Sequence, residues 1–326
     1  MIGAAESPAA DESPSPQGLS IRYRVRRMAA NFWLNFMFWW TQYCPPVVLF
    51  TRPFFLWFAW RYSKVLRDGT LANAARILGP ESTHAEREAL AKEVIRNFYL
   101  SVYELGKNVR MTRARLEKEV DDVVGRQNWA DARARGGGVV VVTAHLGGFE
   151  LGMVALSQRE RRVHVVYHHD ALARFDRLRS RLRQKIGVIE AAVDDGWSLW
   201  VRLRDALVAG EVVVLQADRI MPGQQGVWVP FMDGHVEFPV GPIKLAIASG
   251  AAIVPIFSSR TAAGRVKLVI EEPIRVTRED GPVNEAHPAV RRIAAVVEAH
   301  VRANPAQWSM VYPVWREDLT DASADA

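Results

Sequence analysis

Several things are scarce or missing in this chain, and each shortage removes a class of protein. One cysteine, Cys44, in 326 residues excludes an internal disulfide and gives no sign of an oxidising compartment. No apolar run reaches the roughly 20 residues that a spanning helix requires. The run that starts at Met28 stops at Pro45-Pro46, and the next, Val47 to Trp60, carries Arg52 and Pro53 within it. A positive start followed by an apolar core is missing, so no secretory signal peptide is read. Gly-x-Ser-x-Gly, the turn that presents a nucleophilic serine, does not occur, and neither does the dinucleotide-cradling Gly-x-Gly-x-x-Gly. His168-His169-Asp170 gathers metal-type side chains. Adjacent side chains rarely converge on one ion, and no third ligand cluster lies at usable spacing, so no metal is expected.

What is present is basic and aromatic. Lys and Arg number 42 against 36 Asp and Glu, a net charge of +6, with arginine far outnumbering lysine and 11 tryptophans. Such a balance suits nucleic acid, an anionic membrane face or a phosphorylated substrate. The distribution decides among them. Arg22, Arg24, Arg26 and Arg27 lead into Phe32, Trp33, Phe36, Phe38, Trp39, Trp40 and Tyr43. Tryptophan and tyrosine prefer the headgroup zone, and basic neighbours favour anionic lipid. Residues 19–62 are therefore expected to form an interfacial or re-entrant helical hairpin on a membrane lipid surface, with no nucleic-acid partner. The plainer alternative is a helical lid packed on the core. Residues 1–18, rich in Ala, Ser, Pro and acids, and the closing residues 319–326 are expected to be disordered tails.

The chemistry gathers in Gly136-Gly-Gly-Val-Val-Val-Val-Thr-Ala-His-Leu-Gly-Gly-Phe-Glu150. Val139 to Val142, a β-branched run bounded by glycines, suits a strand covered on both faces of a parallel sheet. His145 then falls at the strand's carboxyl end, where open α/β sheets keep their ligand crevice. Gly147 and Gly148 allow close backbone approach, and a helix starting near Phe149 aims free N–H groups at negative charge. Glu150 is expected to bind one ring nitrogen of His145, fixing its tautomer and strengthening the other as a base. A hydrogen-bonded structural histidine, and a first-turn glutamate that answers the helix dipole, are the plainer readings.

Around this stretch the pattern alternates. Ser63 to Arg110 is helical with a break at Pro80, and Thr83 with Glu86 makes a capping box. Leu116 to Val124 reads as a short strand or helix, and Gln127 to Ala134 as a helix. Strands are expected at Val163–Tyr167, Glu211–Gln216, Ile253–Ser258 and Val266–Ile270. Helices are expected at Phe175–Lys185, Ser198–Ala209, the proline-started stretch that ends at Gly250, and Ala286–Ala303. The fold class is α/β, a mixed, mostly parallel sheet flanked by helices. Asp218 and Arg219, after the strand that ends at Gln216, are placed to face the crevice. Asp218 is expected to hold or orient a partner, either Arg219 or a bound substrate, and Arg219 to bind phosphate by its planar fork. Glu237 is a second choice of carboxylate for His145.

His145-Leu-Gly-Gly-Phe-Glu150 is similar to the His-x4-Glu/Asp motif of lysophospholipid-type glycerolipid acyltransferases. Its flanks resemble their lipid A late acyltransferase (lauroyl/myristoyl) branch, which takes in the actinobacterial phosphatidylinositol mannoside acyltransferases. The resemblance runs in order from about Phe32 to Arg316. It includes Ala217-Asp218-Arg219, Gly226-Val-Trp-Val-Pro-Phe-Met-Asp-Gly234 and Asn304-Pro-Ala-Gln-Trp308 through Trp315. Family members often carry Phe-Phe-Gly where this chain has Phe231-Met232-Asp233-Gly234, a departure in that loop. Asn97, Phe98 and Glu104 resemble the family's helical region before its catalytic core, with helix packing as their plainer role.

The resemblance implies an α/β acyltransferase domain over residues 63–318. It implies transfer of a fatty acyl chain from a thioester, on acyl carrier protein or coenzyme A, to a hydroxyl of a glycolipid. A lipid A precursor or a phosphatidylinositol mannoside would serve as acceptor. His145 would act as general base with Glu150 orienting it, without an acyl-enzyme and without a cofactor beyond the thioester co-substrate. The N–H groups of Gly147 and Gly148, or Arg183 or Arg219, would meet the oxyanion, and His168 would form a polar wall of the cleft. The expected place is the cytoplasmic face of a bacterial inner membrane, peripheral or monotopic. A membrane-bound lipid-binding protein without activity is the reading from another class.

Overall fold

The computed structural model describes residues 39–169, 173–221 and 224–322. The expected tail at 1–18, the part of the expected hairpin up to Phe38, Asp170 and residues 323–326 lie outside the described residues.

Among the described residues, residues 39–43 are helical, and three further helices follow: α1 (Pro45–Tyr62), α2 (Lys64–Leu78) and α3 (His84–Arg110). Pro45 and Pro46 open α1, where a missing N–H leaves nothing unsatisfied. Ser63 closes α1 and caps α2, its hydroxyl accepting the Leu66 N–H. The capping box of Thr83 and Glu86 starts α3. One side of α1 packs on α3, with Phe55 against the Tyr99 ring at 4.9 Å and the Tyr99 hydroxyl donating to the Val48 carbonyl. The other side does not pack: Phe50 is 87% exposed and Phe54 65%, and Trp57, Phe58 and Tyr62 are exposed beside them. One side of the helix thus packs on the core, as the lid reading expects, and the other is exposed and aromatic. Among the described residues no helix is long and apolar enough to cross a membrane.

Nine strands come after them among the described residues: β1 (Val120–Val124), β2 (Val139–Thr143), β3 (Val163–Tyr167), β4 (Ile189–Ala192), β5 (Val212–Gln216), β6 (Gly226–Pro230), β7 (His235–Pro239), β8 (Ala252–Arg260) and β9 (Val266–Ile270). Seven form one sheet in the order β1-β9-β8-β2-β5-β3-β4, and β6 with β7 is a separate hairpin. Every pair in the large sheet is parallel except β8 with β9. The helices between are α4 (Arg113–Lys118), α5 (Arg126–Ala134), α6 (Phe149–Arg159), α7 (Ala173–Ile186), α8 (Trp197–Val208), α9 (Gly241–Ser249), α10 (Pro288–Ala303) and α11 (Arg316–Ala322). The stretch Leu116 to Val124 resolves into the end of α4 and β1. Residues 319–322, expected as part of a tail, continue α11, which Arg76 ties down through a two-bond ion pair with Asp318.

β2 lies at the centre of the sheet, and its valines alternate between two cores. Val140 and Val142 join the α8, α9 and α10 side, and Val139 and Val141 join the α6 and α7 side. Both faces are sealed, so the strand delivers the residues beyond Thr143 to a fixed point on the sheet's carboxyl edge.

Candidate active site

β2 and β5 are parallel neighbours in register, Thr143 opposite Gln216. Two residues beyond each of those ends stand His145 and Asp218, and the register alone brings them face to face. The bond from the Ala217 N–H to the Thr143 carbonyl, at 2.8 Å, carries the pairing one step past the strands. Asp218 is fully buried and His145 is 7% exposed. The imidazole Nδ1 lies 2.9 Å from Asp218 Oδ1, and the His145 backbone N–H donates to Oδ2 at 2.8 Å. The indole N–H of Trp308 donates to the same Oδ2 at 2.9 Å.

An ionised carboxylate only accepts, so Nδ1 carries the proton and Nε2 keeps its lone pair. Nε2 meets no hydrogen-bond partner among the described residues. Burial pushes the His145 imidazolium below the ordinary histidine range, with Asp218 opposing and Arg219 assisting. Burial alone would push the Asp218 carboxyl up. The His145 ring, the His145 N–H and the Trp308 indole outweigh it and hold the acid below its usual range. The pair is therefore a neutral imidazole hydrogen-bonded to an anion, the state a general base requires.

The carboxylate expected beside His145 was Glu150, with Glu237 as second choice; the one found there is Asp218. Successive residues of a helix point about 100° apart, and α6 begins at Phe149. Phe149 takes the position against the imidazole, edge-on at 5.4 Å. Glu150 is thereby turned toward α7, where its Oε1 lies 2.9 Å from Arg179 Nε, outside hydrogen-bond alignment. Glu237 sits on β7 opposite Trp228, in the separate hairpin, and does not line the cavity.

The two glycines also serve a different end from the one expected. Gly147 has a φ of +55°, and a Cβ there would meet the Ser258 carbonyl oxygen at 2.8 Å. A Cβ on Gly148 would meet Val266 at 2.6 Å. The close approach they permit is to β8 and β9. The Gly147 N–H is already given to the Gln307 carbonyl at 3.0 Å, which removes it as an oxyanion donor.

His145 opens into a cavity of about 660 Å³, within the range of small-molecule sites. Glu150, Tyr167, His168, Arg179, Arg183 and Arg219 give it a polar side. Arg183 is buried, with its guanidinium 4.4 Å from the centre of the Tyr167 ring and 3.3 Å from Glu190. Arg219 donates to the Tyr312 hydroxyl. His168 lines the cavity, its Nε2 enclosed and, among the described residues, without a hydrogen-bond partner, and burial pushes its imidazolium down. His169 lines the cavity too, with its Nδ1 2.7 Å from Asp176 Oδ2. Below His145 the lining becomes apolar. Val141 continues down β2, Val165, Val214, Ile256 and Leu268 come from four other strands, and Met153 and Leu156 from α6 cover them.

Sequence reasoning gives Trp308 no role at the site. Trp308 stands in the Pro-Ala-Gln-Trp block, where a tryptophan reads as a packing residue, and nothing local marks an indole that bonds to a residue 90 positions away.

A buried histidine–aspartate pair stands at the carboxyl edge of a mostly parallel sheet, above a cavity polar on one side and apolar beneath, so a proton acceptor adjoins room for an apolar ligand. The chain belongs to the bacterial lipid A biosynthesis acyltransferase family, whose sequence profile matches residues 17–317. It is similar to a phosphatidylinositol mannoside acyltransferase of Mycobacterium tuberculosis (strain CDC 1551 / Oshkosh), 26% identical over 261 residues, which are 77% of either chain. The protein of the same description from Mycolicibacterium smegmatis is 31% identical over 119 residues, 36% of this chain and 37% of the relative. The protein is an acyltransferase, of the branch that the late lipid A and phosphatidylinositol mannoside enzymes share.

Proposed function

We propose that the protein moves a fatty acyl chain from an acyl thioester, on acyl carrier protein or coenzyme A, to a hydroxyl of a glycolipid at the cytoplasmic face of a bacterial plasma membrane. The His145–Asp218 pair above an apolar cavity carries this reading. His145 Nε2 takes the proton of the hydroxyl as its oxygen attacks the thioester carbonyl. The tetrahedral intermediate collapses with loss of the C–S bond, and the imidazolium returns the proton to the leaving thiolate. Asp218 stabilises the imidazolium that forms between the two steps. Arg183 and Arg219, on the polar side, suit the oxyanion or the phosphates of donor and acceptor.

The names of the relatives favour a phosphatidylinositol mannoside type of acceptor over a lipid A precursor. The unpacked aromatic side of α1, with Arg52 and Arg61 on the same helix, supports a resting place on anionic lipid, which brings donor and acceptor chains to one surface.

The test is transfer by the purified full chain. Acyl-coenzyme A and acyl carrier protein thioesters of several lengths are offered with phosphatidylinositol mannoside or a lipid A precursor, and products are read by mass spectrometry. Transfer that disappears in His145→Ala, with the fold kept, is the expected result. A His145→Ala protein that transfers as well as wild type overturns it. For the surface, replacing Phe54, Trp57 and Phe58 together by serine should release the protein from vesicles containing anionic lipid. Unchanged vesicle binding removes α1 as the contact.

A further inference from the structure

We propose that Trp308 is a positioning residue for the His145 base, acting through Asp218. The inference rests on the reading of His145 as the base and adds a residue that this reading does not require.

The Asp218 carboxylate is fully enclosed, and its terminal torsion belongs to the broad, two-fold kind that side-chain packing alone defines poorly. Its orientation is set by donors. Oδ1 faces the imidazole, and Oδ2 receives two N–H groups, one from the His145 backbone and one from the Trp308 indole. The backbone N–H comes from the residue being oriented, so the indole is the one of these donors anchored outside the His145 segment. An indole N–H neither accepts a hydrogen bond nor ionises in this range. It can hold the carboxylate without competing for the proton that His145 must take up and return.

The indole is itself held with respect to the imidazole. The Gly147 N–H donates to the Gln307 carbonyl at 3.0 Å, and the Ser309 N–H donates to the His145 carbonyl at 2.8 Å. Leu146 pairs with Trp308 as an isolated β-bridge. The Gln307 side chain accepts the Arg260 N–H and donates to the Arg260 carbonyl, tying the same turn to the end of β8. The ring is 1% exposed and lies against Phe231 and Trp315. Packing of this kind asks only for an aromatic ring. The bond to Asp218 asks for tryptophan.

The test separates the ring from its N–H. Trp308→Phe, Asp218→Asn, the double variant and His145→Ala are compared with wild type as full-length proteins. Two measurements are made: the imidazole ¹⁵N shifts of the free protein, which report the tautomer without substrate, and thiol release from palmitoyl-coenzyme A with phosphatidylinositol mannoside in mixed micelles. Wild type should hold the Nδ1–H tautomer, and Trp308→Phe should show a mixture. Its kcat should fall about tenfold, the effect of one lost bond to a charged group, with KM unchanged. In the Asp218→Asn background the same change should cost nothing further, since both act along one line. An unchanged tautomer overturns the proposal, as does a loss of equal size in both backgrounds or a loss confined to KM. If Trp308→Phe does not fold, 3-benzothienylalanine at position 308, with sulfur replacing the N–H in a ring of the same shape, supplies both readouts. Full activity in His145→Ala overturns the base reading, whereas an inactive His145→Ala beside a wild-type-like Trp308→Phe overturns only the role of Trp308.

Discussion

Asp218 Oδ1 lies 2.9 Å from His145 Nδ1 although 73 residues separate them in the chain. Parallel pairing of β2 with β5 supplies the coincidence, because each residue stands the same two steps beyond its strand. The acid that bonds to His145 is thus the one delivered by the sheet.

This assignment ranks two carboxylates that lie in the same region. Asp218→Asn keeps the shape and removes the charge that stabilises the imidazolium, and kcat should fall by roughly 10²- to 10⁴-fold. Glu150→Gln weakens the pairing with Arg179 and should cost thermal stability, with a much smaller loss in kcat than Asp218→Asn. Rates and melting temperatures measured on the two variants check the order. The reverse order would return Glu150 to the role that its nearness in sequence suggests.

Burial holds His145 neutral, and that has a signed consequence in pH. The folded ring binds its proton less tightly than an unfolded histidine, whose pKa is about 6.5. As pH falls below that value, the unfolded chain gains a proton that the folded chain refuses, and stability declines toward the folded pKa. Asp218 acts in the same sense at lower pH: its stabilisation is present above about 3.9 and is lost as pH falls through its depressed folded value. The rate of transfer should be level through neutrality and fall on the acid side, with a midpoint below that of a free imidazole. Asp218→Asn removes the charge that raises the His145 pKa, so its residual activity should have a midpoint lower still. Rates and urea unfolding from pH 4 to 8, compared with His145→Ala, provide the measurement.

Glu104 and Asn97, which the family resemblance singled out on α3, prove to be holders of Arg260. The Arg260 guanidinium takes both oxygens of Glu104, at 2.8 and 2.9 Å, with the Ser101 hydroxyl at 2.6 Å and the Asn97 side-chain oxygen at 3.5 Å. The pair is largely buried, and removing one partner strands the other charge. Glu104→Ala should cost about 3 kcal/mol of unfolding free energy, while replacing both residues by methionine should recover part of it. Denaturant unfolding of the single and double variants tests this.

The features legible along the chain and those hidden in it divide by distance. Val139 to Val142 announce a buried strand, and the glycines after it a tight turn, because both signals are local; the structure has β2 and the turn there. The identity of the acid depends on which strand lies beside β2 and in what register, and no local spacing encodes either. Glu150 looks right at five residues' distance, but Phe149 occupies the ring's side and the helix carries its neighbour away. Gly147 and Gly148 are recognisable as places of close approach, while the residues that approach, Ser258 and Val266, come from strands more than a hundred residues on. Trp308 carries the same lesson: its indole has a partner that only the folded chain brings near.

Gly152 gives the last prediction, because it separates stability from substrate choice. It lies on α6 over the apolar part of the cavity, where an added Cβ would meet only Leu268, at the ordinary contact distance of 3.5 Å. Gly152→Ala should fit and, by easing the helix's entropic cost, raise stability by roughly 0.5–1 kcal/mol. Gly152→Leu extends past that contact and takes up space that Val141, Ile256 and Leu268 border. If the donor's acyl chain lies there, the preference among thioesters should move to shorter chains, with kcat on the shorter ones retained. Competition between thioesters of several lengths, read by mass spectrometry of the acylated product, measures the shift. An unchanged length profile in a folded Gly152→Leu protein would place the acyl chain elsewhere in the cavity, toward Trp197, Trp200 and Leu245 on the side of α8 and α9.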